Sequence, residues 1–468
     1  MGIFFFQTCD QKSNNPRTEK IPVYMSTKSS MQKLINQVQD HARGCKTRLS
    51  IAKIQRRGHV ALVQLACKKK GKLNHRFWWS SSPKLPNGKY LVNEKVLHGL
   101  MLSGMRPSHY NRFTTTIGLG VIKKSQRRRF LGTHLVHLEE EYKSSTGVAL
   151  ETEIASYEGS NANGIDIISD ARHGHRRNAK DTSVVVLGAK TKKVLSHIHI
   201  TKQRDPVTQR HEKLGVEDFY KFIEDKTAIR YHVHDRNMAV NSFVKKLGGP
   251  VNQNDRWHVV KSFKKAIEKV SKGIKRDHGK TWHIQLEDKV EPVGTHAHWA
   301  IEHCKGDAQV LRELLSAIPK HYSDDHSSCH ETSRCRRDPA YERSRKPVTD
   351  AVAMDLLTNA VTKSTLYKFA EDFSHGMSSS HVESFNNIMN MYHDKRIFYS
   401  DEEYVARSYI AVLYWNENTG REHNSVWKST ASGASHRGAR QRKNYKKATF
   451  NFGKNVWDRY ISSLTPRQ

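Results

Sequence analysis

Cysteine is scarce. Six in 468 residues (Cys9, Cys45, Cys67, Cys304, Cys329 and Cys335) are too few for a disulfide scaffold and fit a reducing compartment. No apolar run approaches the roughly 18 residues that a spanning helix needs, which excludes an integral membrane protein. The leading Met-Gly-Ile-Phe-Phe-Phe is too short for a signal-peptide core. Phe6 also stands where myristoylation wants Ser or Thr. Glycine patterns of dinucleotide and P-loop sites are missing, as are repeats of solenoid period. Acidic residues are few: 46 Asp+Glu against 79 Lys+Arg leave a net charge of +33. That excess argues for a polyanionic partner over a small-molecule substrate.

The positive charge is unevenly placed. Residues 1–150 hold 27 basic and 7 acidic side chains, and residues 421–468 hold 11 and 2. The 270 residues between them are nearly neutral. Two basic arms around a balanced centre suit a grip on nucleic acid, although solvated basic tails give the same count. Lys123, Lys124, Arg127, Arg128 and Arg129 form one basic run, and Arg440, Arg442 and Lys443 open another. Both are candidate phosphate contacts and nuclear-localisation signals. A nuclear protein is therefore expected.

The element pattern predicts seven segments. Residues 1–50 read as a polar, disordered start, and 51–90 as a small β module with strands at His59–Cys67 and His75–Ser80. Residues 91–158 read as a helical, helix-turn-helix-like DNA-binding region. In it Asn93 caps a first helix, Gly104 stops it, and Pro107 opens a second. A helix over Thr133–Ser156, interrupted near Gly147, follows. A generic helical hairpin fits the same pattern. In 159–274 the order is three strands, a helix, a strand (Ile229–Val233), a helix (Met238–Leu247), a strand (Asp255–Val260) and a helix (Ser262–Lys272). That is the order of an α/β ribonuclease H-like core with a mixed five-stranded sheet and flanking helices. Residues 275–375 read as a mainly helical insertion, 376–420 as the core's C-terminal helices, and 421–468 as a basic tail.

Three carboxylates stand out in this topology. Asp170 ends the first core strand and Asp235 the fourth, which lies beside it. Glu383 opens a helix after the insertion. Carboxylates gathered this way suit Mg²⁺ or Mn²⁺, and two such ions activate an oxygen nucleophile and stabilise a leaving oxygen in phosphodiester chemistry. Many strands end in an acid without holding a metal.

Four stretches come in order: Ser169-Asp170-Ala171-Arg172-His173-Gly174, His234-Asp235-Arg236-Asn237, Asp255-Arg256-Trp257-His258 and His381-Val382-Glu383-Ser384-Phe385-Asn386. Leu413-Tyr414-Trp415-Asn416 follows them. Over roughly 90–420 this set resembles the animal DDE transposases of the Kolobok and Mutator-like kind. The resemblance implies cutting of double-stranded DNA at transposon ends and joining to target DNA, by a homodimer or larger assembly. It makes Asp170, Asp235 and Glu383 the ligands of two Mg²⁺ or Mn²⁺ ions. His258 would sit near the scissile phosphate and Arg172 on a phosphate; a core histidine and a structural ion pair are the alternatives. A ribonuclease H-like nuclease without strand transfer, or a domesticated DNA-binding protein, would keep much of the same pattern. Such transposases often begin with a Cys/His finger, whereas Cys45 and Cys67 make no complete ligand set. In the insertion His298, Cys304, Cys329 and Cys335 are candidate ligands of a structural Zn²⁺.

Overall fold

The structure is a computed structural model that describes residues 22–45, 47–67, 75–159, 163–174, 179–428 and 441–464. The chain divides into two compact units, Met1–Ser145 with Ile388–Gln468, and Thr146–Asn387.

The first unit opens with a helix, α1 (Lys28–Cys45), where the composition predicted disorder; residues 1–21 of that stretch lie outside the described residues. Thr27 Oγ1 accepts from the Ser30 amide at 3.1 Å and starts the helix. Met31 and Leu34 then pack against Ala61, Val63, Leu65 and Trp79. These belong to an antiparallel sheet in the order β1 (Leu49–Arg57), β2 (Val60–Cys67), β3 (Arg76–Ser80). The sequence predicted β2 and β3. It missed β1, whose side chains are exposed or half-buried and carry no clean alternation. The helical pair α2 (Leu91–Leu102) and α3 (Pro107–Thr116) follows, turning at Gly104 with φ +67°. Tyr90, not Asn93, precedes α2. Asn93 lies inside the helix and ties to the β1–β2 turn, accepting from the His59 amide at 3.0 Å.

Helix α4 (Lys124–Ala155) runs unbroken through Gly147 and takes the basic run into its first turns. Its last turns, from Thr146, belong to the second unit. There a five-stranded sheet is built from β4 (Ile165–His173), β5 (Asp181–Gly188), β6 (Val194–Thr201), β7 (Ile229–His234) and β8 (Val251–Asn254), in the order β6-β5-β4-β7-β8. The pairs β4·β5 and β5·β6 are antiparallel, while β4·β7 and β7·β8 are parallel. All eight residues of β5 are buried, as a central strand covered on both faces requires. Helices α5 (His211–Ile223) and α6 (Met238–Leu247) make the crossovers.

The β5–β6 hairpin is tied down by Glu153 of α4, which is fully buried. Its carboxylate accepts from the amides of Lys190 at 2.9 Å and Thr191 at 2.8 Å, and from Thr191 Oγ1 at 2.5 Å. Glu153→Ala strands these donors and should cost about 2–4 kcal/mol in a denaturant melt.

One expectation fails inside the core. Asp255–Val260 is not a strand. The sheet's last strand is β8, and Asp255 caps α7 (Arg256–Ser271), its side chain accepting from the His258 amide at 2.9 Å. The β-branched and aromatic run at 257–260 favours a strand locally. The cap and the helical spacing of Val259, Val260, Phe263 and Ile267, all buried, decide otherwise.

The stretch 275–375 is helical: α8 (Val290–His303), which the sequence did not predict, α9 (Ala308–Tyr322), a single turn α10 (Arg334–Arg337), α11 (Ala351–Thr362) and a short α12 (Thr365–Lys368). Val293, Ile301, Leu315, Leu357 and Phe373 share one core with Phe263 and Ile267 of α7. The stretch returns along β8, where Asn252 Nδ2 donates to Asp372 Oδ1 at 3.0 Å. Then α13 (Ser380–Tyr392) leads back to the first unit. That unit closes with α14 (Asp401–Asn418), a β9 (His423–Lys428)–β10 (Gln441–Tyr445) ribbon and α15 (Asn451–Leu464). The basic tail is thus structured in part, because Phe452, Val456, Trp457 and Tyr460 give α15 a buried face. No helix among the described residues is long and apolar enough to cross a membrane.

Candidate active site

Register brings two acids together. The last parallel pair of β4 and β7 is Ile168↔Val233. Asp170 and Asp235 each lie two residues further on, at the same sheet end. Strand β4 continues to His173, so Asp170 is within the strand and not at its terminus. The first turn of α13 supplies the rest. Asn386 Nδ2 donates to Asp170 Oδ2 at 2.7 Å, and Glu383, one turn earlier, holds its Oε1 3.8 Å from His258 Nε2.

His258 stands among three acids. Its Nδ1 is 3.1 Å from Asp255 Oδ1 and 3.6 Å from Asp235 Oδ1. Asp255 is buried and organises this side of the site. Its Oδ2 accepts from the Ser379 amide at 2.7 Å, Ser379 Oγ at 3.0 Å and Ser378 Oγ at 3.1 Å. Burial pushes its carboxyl up, but the bonds from the His258 amide, the Ser379 amide and Oγ and the His258 imidazole outweigh it and hold the group below the usual range. Ser379 Oγ also lies 3.1 Å from Asp235 Oδ1. The segment entering α13 is thereby fastened to the start of α7 and to the end of β7.

A fifth carboxylate lies close. Glu212 on α5 accepts from Asn237 Nδ2 at 2.7 Å, while its buried Oε1 has no partner among the described residues. Burial pushes Glu212 up to about 7, with Asp235 adding to the shift. Asp170 rises further, to about 8, from burial and then from the charges of Asp235, Glu212 and Glu383. Acids crowded until one holds its proton at neutral pH are a donor set for a cation. Asp170, Asp235 and Glu383 offer the hard oxygen donors that Mg²⁺ or Mn²⁺ prefers.

A stability consequence follows. Asp170 titrates near 4 when unfolded and near 8 when folded without metal. The folded state then binds the extra proton between those values, so this group's contribution falls as pH rises through that window. Asp170→Asn should raise the metal-free melting temperature at pH 8 and leave it little changed at pH 5. The gain should be on the order of 1 kcal/mol or more, and stabilisation by Mn²⁺ should disappear. A thermal melt at the two pH values, with and without Mn²⁺, measures all three effects.

The other predicted positions separate. Arg172 is 2% exposed, so the structure removes it from any phosphate-facing surface. Lys123, Lys124, Arg128 and Arg129 are exposed at the start of α4. Arg127 instead turns inward, donating to the Ile122 carbonyl at 2.7 Å and to Asn111 Oδ1 at 3.2 Å. Lys443 is exposed on β10, which also carries Arg442. Arg440 lies outside the described residues. The proposed zinc set does not assemble. Cys304 is buried in the helical core, its thiol donating to the carbonyls of Ile301 and Ser374. His298 lies on α8, apart from the cluster that Cys329 and Cys335 join.

In the first unit the ligand set that looked incomplete is complete. His41, Cys45, Cys67 and His75 place their ligating atoms within 4.8 Å of one another. Cys45 Sγ and Cys67 Sγ are 3.6 Å apart, and His41 Nε2 and His75 Nδ1 3.4 Å. Tetrahedral zinc spaces two sulfurs about 3.8 Å and two nitrogens about 3.4 Å apart, from bonds of about 2.3 and 2.0–2.1 Å. The missed signal was His41 and Cys45 at i, i+4 on one helix face. Glu212 and Ser379 had no sequence signal of their own. Asp255 and Asn386 were visible only as parts of motifs.

Residues 23–217 match the family model described as Mutator-like transposase. The matched stretch takes in the Cys/His cluster, Asp170 and Glu212, and ends before Asp235, Asp255 and Glu383. Among solved structures the chain is similar to the Drosophila P element transposase strand transfer complex. Identity is 11%, over 71% of this chain and 93% of that one, with a TM-score of 0.29. A likeness that low carries no argument for the fold. No curated protein matches the chain.

Proposed function

We propose that this chain is a DDE transposase with a ribonuclease H-like core, cutting double-stranded DNA at transposon ends and joining it to target DNA. The observation that carries the proposal is the convergence of Asp170, Asp235 and Glu383 on one sheet end, from β4, β7 and α13. The core reading is supported by a sheet whose strands, numbered 1–5 from β4, run in the order 3-2-1-4-5 with only the second antiparallel to the rest.

Two Mg²⁺ or Mn²⁺ ions on these carboxylates would supply the activated nucleophile and the stabilised leaving oxygen. The protein's own part is positioning. Asn386 orients Asp170. Asp255 holds the imidazole of His258 between Asp235 and Glu383, where it can accept or return a proton beside the scissile phosphate. Ser379 couples Asp235 to Asp255. The exposed basic side chains of α4 and β10 would take the DNA backbone, and a Zn²⁺ on His41, Cys45, Cys67 and His75 would hold the N-terminal module. For such work on DNA, a nuclear location and a dimer or larger assembly are expected.

The test incubates the purified chain with Mn²⁺, linear DNA bearing the ends of the element and a supercoiled plasmid. End cleavage with joined products supports the proposal. Cleavage without joining makes the chain a nuclease. Binding without cleavage makes it a domesticated DNA-binding protein.

A further inference from the structure

A second Cys/His cluster lies in the helical stretch of the second unit, far in sequence from the carboxylates. His321 comes from the last turn of α9, His326 and Cys329 from the loop after it, and Cys335 from α10. Their ligating atoms lie within 4.8 Å of one another. Cys329 Sγ is 3.5 Å from His321 Nδ1 and 3.7 Å from His326 Nδ1. A sulfur and a nitrogen on one tetrahedral zinc stand about 3.6 Å apart. Two further features favour a metal. The far nitrogen of His326 faces a carboxylate, Asp324 Oδ1 at 3.6 Å, the arrangement that orients a histidine ligand. Asp324 is itself paired with Arg343. And residues 323–349 have almost no core of their own, since Val348 alone among them is buried. A segment that buries so little apolar surface needs a cross-link to hold one shape.

We propose that His321, His326, Cys329 and Cys335 bind a structural Zn²⁺ that folds residues 323–349 and presents Arg336, Arg337 and Arg345 to a phosphate backbone. All three arginines are exposed. Arg334, by contrast, is bonded to Asp338 at 3.2 Å. The spacing, His-x4-His-x2-Cys-x5-Cys, matches no standard finger, because the first ligand belongs to a helix of the core, the next two to the loop after it and the last to the short α10. The phosphate contact rests on the DNA reading above; the metal site does not.

The full chain carrying Cys67→Ser, which removes the N-terminal cluster, isolates this site for zinc counting. One tightly held Zn²⁺ per chain is expected by elemental analysis, and none after adding Cys329→Ser. In the Cys67→Ser chain, Co²⁺ should give the absorption of a tetrahedral site with thiolate ligands, which needs no further variant. Zinc removal should also open cleavage by trypsin after Arg336 and Arg337. A Cys67→Ser chain that holds no zinc and shows no such Co²⁺ spectrum overturns the site. Arg336→Ala with Arg337→Ala should keep the metal and lower the salt slope of DNA binding by up to about 2. An unchanged slope with zinc present overturns the phosphate contact alone.

Discussion

Asp235→Asn should abolish metal-dependent strand cleavage, by at least ~10³-fold, or ~4 kcal/mol of transition-state stabilisation. DNA affinity and folding should survive. Asp235 is half-exposed, and among the described residues its carboxylate accepts one hydrogen bond, from Ser379 Oγ, which an amide oxygen also accepts. Glu383→Gln should behave alike, since the Glu383 side chain is 53% exposed and packs little. Asp255→Asn should differ. Its carboxylate fastens the entry to α13, so this variant should lose thermal stability together with cleavage. A gel assay for nicking, beside a melt and a binding titration, separates the two behaviours. An Asp235→Asn chain that cuts as the parent does would remove this acid from the chemistry.

Removing zinc from His41, Cys45, Cys67 and His75 should unfold the N-terminal module. Among the described residues its sheet buries six hydrophobic side chains, Val60, Ala61, Val63, Leu65, Cys67 and Trp79. That is too little to hold three strands and a helix without help. A structural zinc contributes on the order of 10 kcal/mol of apparent folding free energy, so chelation or Cys67→Ser should be decisive locally. Amides of β1 and β2 should lose hydrogen-exchange protection, while those of β4 and β5 keep theirs. The Trp79 indole, donating to the Ser30 carbonyl at 2.7 Å, should become solvent-exposed. Full protection of β1 and β2 in a metal-free chain would show that packing suffices.

The second unit's sheet was legible because its strands are short apolar runs closed by turns. The pairing of Asp170 with Asp235 followed from parallel neighbours in register. What stayed hidden depended on tertiary contacts. Asp255–Val260 has strand propensity, and only the cap made by the Asp255 side chain turns it into the helix that aims His258. Cys45 and Cys67 looked stranded because their partners, His41 and His75, reach them through the packing of α1 on the hairpin. Arg172 looked like a phosphate ligand because it follows a catalytic-type acid, yet the strand carries it into the interior. Glu212 enters the site from a crossover helix whose sequence says only that it is amphipathic.

Because Glu383 and Asn386 arrive on α13, after the helical stretch, the carboxylate site is completed last. Nearly 150 residues separate Asp235 from Glu383. At about 5–20 residues per second of synthesis, the sheet with Asp170 and Asp235 waits on the order of ten seconds for its third acid. A nascent or truncated chain ending before residue 383 keeps the Cys/His module and the basic start of α4 but holds no complete site. On the proposed function, such a fragment would occupy DNA without cutting it, and premature termination would turn the enzyme into its own competitor.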